Sequence, residues 1–349
     1  MRALVAMSGG VDSSVAAAVM RDAGHEVVGV TLKMWSGPNG EAPTAGCCTV
    51  SDAEDARRVA GQLDIPYYVL DYTAEFRDGV VERFVSDYVS GRTPNPCIEC
   101  NRTVKFDRLL GRLDDFESDV LVTGHHARSR FDGKHWSLHR GADRAKDQSY
   151  VLSMLTQREL TRSRFPVGEL TKPEVRSMAS ALGLRTAHKP ESMDICFVGR
   201  RDYRSFLAGS APDAHVPGPM VDTRGHELGS HDGIAGFTVG QRRGLGVAVG
   251  EPRFVVRIEP ATSTVVLGRR DELGVAGVEL AQVVWSSGEG RSGEVMAQYR
   301  AHGDPVPAVI EGDRLLFADL QEAIAPGQTV AFYDGDRVLG GALMARTLL

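Results

Sequence analysis

The first 125 residues alternate short apolar runs with longer segments in which apolar residues recur at helical spacing. Four runs predict buried strands: RALVAM (2–7), EVVGVTL (26–32), YYVLDY (67–72) and DVLVTG (119–124). Three intervening segments predict helices: residues 12–23, 51–64 and 74–91. Ser51 or Asp52 is expected to cap the second helix. Strands separated by helices are typical of a parallel sheet that binds ligands at the carboxyl ends of its strands.

The pattern changes further along the chain. Residues 127–140 predict a hairpin that turns at Asp132-Gly133, and helical patterns return at 148–156, 172–183 and 201–209. After about residue 210, Gly and Pro become frequent. Short alternating strands then follow: 253–259, 264–268, 293–301, 307–312, 314–318, 329–334 and 337–344. We therefore predict an α/β nucleotide-binding domain over 1–209, a small β-rich linking domain over 210–274 and a C-terminal β-barrel over 275–349.

Composition narrows the class of protein. The 349 residues are 42% hydrophobic and 25% charged, and no apolar run approaches the roughly 18 residues of a membrane span. The opening MRALVAMSGG lacks the features of a secretory signal, so a cytoplasmic protein without a membrane partner is expected. Five cysteines argue against a disulfide framework. The net charge of −6 leaves nucleic-acid binding to local basic patches.

The loop AMSGGVDSS, residues 6–14, joins the first strand to the first helix. Its glycines let the backbone approach a ligand, and the helix amides that follow favour phosphate. It matches neither the Walker A loop nor the dinucleotide fingerprint, but its S-G-G-x-D-S resembles the pyrophosphate loop of ATP pyrophosphatases. Asp12 is a candidate Mg²⁺ ligand, because Mg²⁺ on phosphates usually takes one or two carboxylates. The alternative is a glycine turn without a ligand.

The cysteines suggest a second kind of chemistry. Cys97 and Cys100 form a C-x-x-C motif flanked by prolines, and Cys196 lies far downstream in MDICF. A zinc site needs four ligands, and no second C-x-x-C is present. A thioredoxin-like role does not suit a motif that precedes a basic helix. Buried structural thiols are the alternative, and the favoured one for Cys47 and Cys48.

Seven motifs in this order resemble one family: SGGVDSS, GRTPNPC..CN..VKF, TGHHAR, KDQSYVL, GELTKPEVR, DICFVG and FTVGQRRGLG. Together they are similar to the tRNA-specific 2-thiouridylases, and the resemblance continues to PGQTVAFYDG near the end of the chain. It implies that ATP adenylates O2 of the wobble uridine of certain tRNAs and that sulfur then replaces this oxygen. A thiolate or persulfide suits the second step because sulfur is soft and ionises near neutral pH.

The resemblance also implies roles for individual residues. Cys196 would carry a persulfide from a sulfur donor such as a cysteine desulfurase or a relay protein. Cys100 would attack that persulfide to release sulfide, or would close a disulfide after transfer. The ATP-binding positions would be Ala6, Met7, Ser8, Gly9, Gly10, Val11, Asp12, Ser13, Leu32 and Gly124. The tRNA-binding positions would be Asn95, Pro96, His125, Lys146, Asp147, Gln148, Tyr299, Arg300 and Gln328.

Two positions depart from the common form of the family. Many members have Asp, assigned to proton transfer, where this chain has Cys97, and a thiol is a different acid. Cys97, Cys100 and Cys196 could instead ligate an iron–sulfur cluster with one open iron that holds the sulfur. In MAQYRAHG, Gln298 replaces the usual arginine beside Tyr299, and Arg300 could compensate.

Other interpretations remain open at this stage. A ligase of another pyrophosphate-loop family would explain the glycine loop but give the three cysteines no task. A non-catalytic cluster-binding or metal-binding RNA module would explain the thiols but not the intact SGGVDSS. Arginine clusters at 200, 201 and 204, at 242 and 243, and at 269 and 270 could hold tRNA phosphates or simply form solvated faces.

Overall fold

The computed structural model describes residues 1–37, 49–191, 195–199, 202–212 and 215–348. Within these ranges, no helix combines the length and apolar character needed to cross a membrane. Cys47, Cys48, Arg200 and Arg201 lie outside the described residues.

A five-stranded parallel sheet forms the centre of the first domain. The strands up to residue 164 are β1 (Arg2–Ala6), β2 (Glu26–Lys33), β3 (Tyr67–Asp71), β4 (Val120–Thr123), β5 (Ala127–Phe131), β6 (Trp136–Arg140) and β7 (Ser163–Arg164). The parallel sheet has the order β3-β2-β1-β4-β7. Strand order reverses between β1 and β4, so the carboxyl ends of β1, β2 and β4 frame a crevice where such sheets bind ligands.

Helices flank this sheet and connect its strands. They are α1 (Val11–Asp22), α2 (Val50–Gln62), α3 (Thr73–Phe76), α4 (Glu82–Val89), α5 (Pro96–Glu99), α6 (Gln157–Thr161), α7 (Lys172–Ala181) and α8 (Tyr203–Ser210). Apolar residues of β1, α1, α2 and α7 form one core layer. Residues of β2, α4 and the segment after α5 pack on the opposite side of the sheet. Both faces are therefore covered, as a parallel sheet requires.

Three local predictions differ from the structure in detail. The cap of α2 is Thr49, whose hydroxyl accepts from the Asp52 amide while Asp52 accepts from the Thr49 amide. The predicted helix over 74–91 is interrupted by a π-helical turn at Arg77–Val81, where Gly79 packs against Thr103. The predicted helix over 148–156 is reduced to a 3-10 turn at Tyr150–Leu152, because the Asp147 carboxylate accepts the Ser149 amide in a local turn.

The second half of the chain consists mainly of strands. They are β8 (Gly218–Asp222), β9 (Glu227–His231), β10 (Phe254–Glu259), β11 (Thr264–Gly268), β12 (Gly274–Trp285), β13 (Gly293–Gln298), β14 (Val306–Glu311), β15 (Arg314–Glu322), β16 (Thr329–Asp334) and β17 (Arg337–Leu348). Strands β8 to β11 form a small sheet in the order β10-β11-β8-β9. Strands β12 to β17 form a barrel that closes through β12 and β17. The predicted fold class is confirmed, although the sequence patterns missed β7, β8, β9 and β12.

The predicted hairpin is confirmed, and it has a role that the sequence did not indicate. Its strand β6 pairs with β17 of the barrel, with Leu138 opposite Val338. The hydrophobic core of the first domain continues across this pairing to Tyr333 and Val338. The barrel is thus joined to the nucleotide-binding domain by a shared sheet and a shared core.

Candidate active site

A cleft of about 290 Å³ opens at the carboxyl ends of β1, β2 and β4. Leu32, Gly124 and His125 line it, together with most of the glycine loop but not Gly9. It also contains residues that the sequence analysis did not select: Thr31, Met34, Asp52, Lys105, His126, Lys172, Lys189 and Glu191. Four lysines (Lys105, Lys146, Lys172 and Lys189) line the cleft together with the carboxylates of Asp12, Asp52 and Glu191.

The glycine loop is built for close backbone approach. Gly9 has φ +71°, and a Cβ there would lie 2.1 Å from the Asp52 carbonyl oxygen. A Cβ on Gly124 would lie 2.5 Å from the Ser13 amide nitrogen. The Ser8 amide donates to Ser13 Oγ at 3.1 Å, which closes the loop. No described side chain caps α1, so the first amides of this helix are available to an anion.

Asp12 is held by two partners from distant segments. Lys172 Nζ donates to both of its carboxylate oxygens, at 2.8 and 2.7 Å, and His126 Nε2 donates at 3.1 Å. Burial tends to raise the pKa of Asp12, but the hydrogen bonds from His126 and Lys172 outweigh it and lower the pKa. Asp12 is therefore ionised at neutral pH. His126 Nδ1 is buried and has no hydrogen-bond partner among the described residues.

Two charged residues connect the cleft with the segment that leads to Cys196. Lys189 Nζ contacts the Gly9 carbonyl oxygen at 3.0 Å and the Asp52 and Asp55 carboxylates at 2.7 Å each. Glu191 accepts from Lys146 at 2.8 Å and pairs with Lys172 at 3.1 Å. Hydrogen bonds from Lys146 lower the pKa of Glu191, with Lys172 adding to the effect.

His125 lies at the apolar side of the cleft. Its ring packs near Phe106 and Phe165, and Nδ1 is hydrogen-bonded to Thr123 Oγ1 at 2.7 Å. Burial lowers the pKa of His125 to about 3, and the positive charge of Lys105 adds to this. The imidazole is therefore neutral at physiological pH and can contact a base without carrying charge.

The structure places Cys100 and Cys196 in one region of the molecule. Cys100 is buried, with its Sγ 3.7 Å from Met34 Sδ, and Met34 also lines the nucleotide cleft. The next residue, Trp35, contacts Phe197, which adjoins Cys196. Cys100 and the partly exposed Cys196 pack against the same hydrophobic cluster. Cys97 is exposed at the start of α5.

Comparison with known proteins finds relatives that match nearly the whole chain. Family models match in three consecutive segments: a tRNA methyl transferase HUP domain at 1–200, a tRNA methyl transferase PRC-barrel domain at 204–269 and an aminomethyltransferase beta-barrel domain at 275–344. The tRNA-specific 2-thiouridylase MnmA of Roseiflexus sp. is 47% identical over 371 residues, covering 98% of this chain and 99% of its own length. MnmA of Acidothermus cellulolyticus is 49% identical, covering 99% and 98%.

The chain belongs to the tRNA-specific 2-thiouridylase family. A solved structure that it also resembles is a 4-thiouridine synthetase–RNA complex with bound ATP, with 18% identity and a TM-score of 0.38. That match covers 61% of this chain and 51% of the other, and it is too distant to support an inference. The family descriptions mention methyl transfer, whereas the full-length relatives are named for thiolation.

The family's predicted tRNA-contact positions fall into two groups in this member. Lys146 and Gln148 line the cleft beside His125, and Asn95 and Pro96 begin α5 next to Cys97. The Asp147 carboxylate instead accepts from Arg140, Gly141 and Ser149, and its side chain is only 5% exposed.

The barrel positions are also engaged in internal contacts. Tyr299 OH donates to Gln321 Oε1 at 2.9 Å, and Arg300 donates to the Glu322 carbonyl oxygen at 2.7 Å. The amide nitrogen of Gln298 donates to the Arg300 carbonyl oxygen at 2.9 Å. Gln298 therefore supports the turn after β13 and is nearly buried, unlike a phosphate-binding arginine.

The arginine clusters differ in what holds them. Arg204 donates to the Gly236 carbonyl oxygen at 2.7 Å, which ties α8 to the linking domain. Arg269 and Arg270 are paired with Asp271 and Glu322. Arg242 and Arg243 are exposed, which makes them the better candidates for phosphate contacts.

The structure bears on two metal hypotheses, Mg²⁺ at Asp12 and an iron–sulfur cluster at the three cysteines. Asp12 offers an ionised carboxylate inside the cleft, which suits Mg²⁺ on a polyphosphate. Within the described residues, no three His, Cys, Asp or Glu side chains are close enough together to hold a metal ion. Cys97, Cys100 and Cys196 therefore form no such single-ion group.

Proposed function

We propose that this protein catalyses ATP-dependent 2-thiolation of the wobble uridine of tRNA. The observation that carries the proposal is the path from cleft to thiol: Met34 lines the nucleotide cleft and contacts Cys100, while its neighbour Trp35 contacts Phe197 beside Cys196. A nucleotide at the glycine loop and two thiols can thus serve one substrate. A pyrophosphate-loop ligase that amidates a carboxylate would need neither thiol.

The first step activates the uridine. O2 attacks the α-phosphorus of ATP, the O2–P bond forms and pyrophosphate leaves. The glycine loop and the cleft lysines hold the phosphates and stabilise the charge that the leaving pyrophosphate acquires. Asp12 would hold a Mg²⁺ ion, which would neutralise phosphate charge.

The second step exchanges oxygen for sulfur. The terminal sulfur of a Cys196 persulfide attacks C2, and AMP leaves with O2. The Cys100 thiolate then attacks Cys196 Sγ, which breaks the S–S bond, frees 2-thiouridine and leaves a Cys100–Cys196 disulfide that an external thiol must reduce. If Cys100 attacks before transfer, the sulfide released becomes the nucleophile. An external persulfide donor restores Cys196 in either route.

The wobble base must leave the stacked anticodon loop to reach the cleft. We infer that Asn95, Pro96 and Cys97 surround the extruded base and that Lys146 and Gln148 hold its backbone. Tyr299, Arg300 and Gln328 would meet the anticodon arm from the barrel. Phosphate contacts predict that tRNA affinity falls steeply as salt is added, and a flat salt response would contradict tRNA as the substrate.

The test is incubation with ATP, unmodified tRNA and sulfide, followed by mass analysis of the nucleosides. We expect one uridine per tRNA to gain sulfur in place of oxygen, and omission of ATP should abolish the gain. Unchanged nucleosides with wild-type protein would refute the proposal. Anaerobic purification with iron analysis tests the cluster variant, because an active protein without iron excludes it.

A further inference from the structure

A loop of the barrel lies against the segment that precedes Cys97 and Cys100. We call residues 325–328, between β15 and β16, the barrel loop, and residues 92–95, before α5, the approach segment. The Thr93 amide donates to the Pro326 carbonyl oxygen at 2.8 Å. Gln328 Nε2 donates to the Thr93 and Pro94 carbonyl oxygens at 2.9 and 3.2 Å. The two loops are therefore joined through the backbone of the approach segment.

Gly327 brings the two loops into direct contact. Its φ is +94°, and a Cβ there would lie 2.8 Å from Arg92 Cβ and 2.9 Å from the Thr93 amide nitrogen. Neither atom is the end of a flexible side chain. A substitution at Gly327 must therefore move the approach segment or the barrel loop.

The residues that follow Cys100 are also linked to the barrel. Asn101, next to Cys100, donates to the Val151 carbonyl oxygen at 3.2 Å. The adjacent Tyr150 hydroxyl donates to the Thr329 carbonyl oxygen at 2.8 Å, one residue beyond the barrel loop. Both flanks of α5 are thus fixed by the same end of the barrel, although β5, β6 and β17 already join the domains elsewhere.

We propose that the barrel loop positions the start of α5, and with it Cys100 for sulfur transfer and Cys97 beside the base, with Gly327 and Gln328 as positioning residues. The inference rests on the proposed function and adds a task for the barrel besides contact with tRNA. Gln328, predicted from the family to meet tRNA, has its amide nitrogen occupied by the approach segment. If the barrel only bound tRNA, substitutions in the barrel loop would not change the reactivity of Cys97 and Cys100 in the absence of tRNA.

The test compares Gly327→Ala with Gly133→Ala, with neither tRNA nor ATP present. Gly133 has φ +97°, and a Cβ there would meet nothing within 4 Å, so its variant carries the same backbone strain without the collision. Alkylation by iodoacetamide is followed at Cys97 and Cys100 by tandem mass spectrometry. We expect Cys100, which is buried, to react about tenfold faster in Gly327→Ala than in Gly133→Ala, because its flanking segment opens more often.

Turnover assays give the second readout. Gly327→Ala should lower the kcat of thiolation about tenfold relative to Gly133→Ala and leave the KM for ATP unchanged, since the nucleotide cleft is not touched. Equal alkylation rates in the two variants would overturn the proposal, and so would faster alkylation with an unaltered kcat. A wild-type enzyme that makes no thiouridine would refute the proposed function alone, because the alkylation comparison does not depend on it.

Gln328 keeps the inference testable if Gly327→Ala does not fold. Gln328→Ala removes the donor to two carbonyl oxygens, whereas Gln328→Lys retains a donor at similar reach. We expect faster Cys100 alkylation in Gln328→Ala and a return towards the wild-type rate in Gln328→Lys. Wild-type alkylation in Gln328→Ala would contradict the inference.

Discussion

The nucleotide cleft and the cysteine region are held together by different forces. The cleft is assembled from the ends of neighbouring parallel strands, and its charges already pair across it, as Lys172 does with Asp12 and Glu191. The cysteine region joins α5 and residues 195–199, which do not belong to the sheet, through apolar packing and the barrel loop. The first site is therefore preformed, whereas the second depends on contacts between domains.

This difference teaches where sensitivity to substitution should lie. Changes in the cleft should alter nucleotide chemistry and leave the cysteines as they are. Changes in the cysteine region should stop sulfur transfer and leave ATP binding intact. A substitution in one region that altered the chemistry of the other would show that the two regions act as one unit.

The largest effect is expected at Cys196. Cys196→Ser removes the atom that would carry the persulfide, so thiolation supported by a persulfide donor should fall about a thousandfold or more. ATP affinity, measured by calorimetry, should stay at the wild-type value because Cys196 does not line the cleft. Unimpaired turnover would remove Cys196 from the mechanism.

Substitution of Asp12 tests the nucleotide cleft. Asp12→Ala removes the partner of Lys172 and His126 and the candidate Mg²⁺ ligand, so adenylation should fall about a hundredfold. The exposed Asp22, at the other end of α1, provides the control variant Asp22→Ala, which should adenylate normally. Wild-type adenylation in Asp12→Ala, measured as tRNA-dependent pyrophosphate release, would exclude Asp12 from the site.

Gly124 tests how closely the backbone of the cleft is packed. In Gly124→Ala the new Cβ would meet the Ser13 amide nitrogen at 2.5 Å, which must displace the glycine loop and weaken ATP binding about tenfold. Gly111→Ala adds the same methyl group where nothing lies within 4 Å and should bind ATP normally. Iodoacetamide reactivity of Cys100 should match in both variants; a change confined to Gly124→Ala would link the two regions.

The smallest effect concerns pH. Because His125 has a folded pKa of about 3, the unfolded chain binds more protons than the folded one between that value and the ordinary histidine pKa of about 6.5. Stability should therefore rise with pH across this window and be lost as pH falls. His125→Gln should reduce the loss between pH 7 and 5.5 by about 1 kcal/mol. Urea unfolding at both pH values measures this, and an unchanged loss would contradict a neutral His125 imidazole in the folded protein.

The sequence predicted the nucleotide cleft better than the cysteine region, for a physical reason. The conformation of the glycine loop is determined by a short run of consecutive residues, which can be recognised in the sequence. Gly124 follows β4, the strand that pairs with β1. Lys172 and Lys189 were not selected because their contacts with Asp12 and Gly9 join residues that are 160 and 180 positions apart in the chain. Glu191 was not selected because its partners, Lys146 and Lys172, come near it only in the folded chain. His126 had a local signal, since it adjoins His125 in TGHHAR.

The contact between the barrel loop and the approach segment could not be predicted from the sequence of either segment. PGQ and RTPNP are ordinary turn sequences, and their pairing depends on how β6 joins β17. The missed strand β12 has a related cause, because its register shifts twice along β17 and its apolar alternation is broken there.

The central claim is that ATP cleavage and sulfur transfer act on the same uridine. The direct measurement is a reaction with α-labelled ATP, unmodified tRNA and a persulfide donor, in which AMP and 2-thiouridine are counted together over time. The account predicts one AMP for each thiouridine with wild-type protein and, with Cys196→Ser, AMP attached to tRNA without thiouridine. Thiouridine formed without stoichiometric AMP would contradict it.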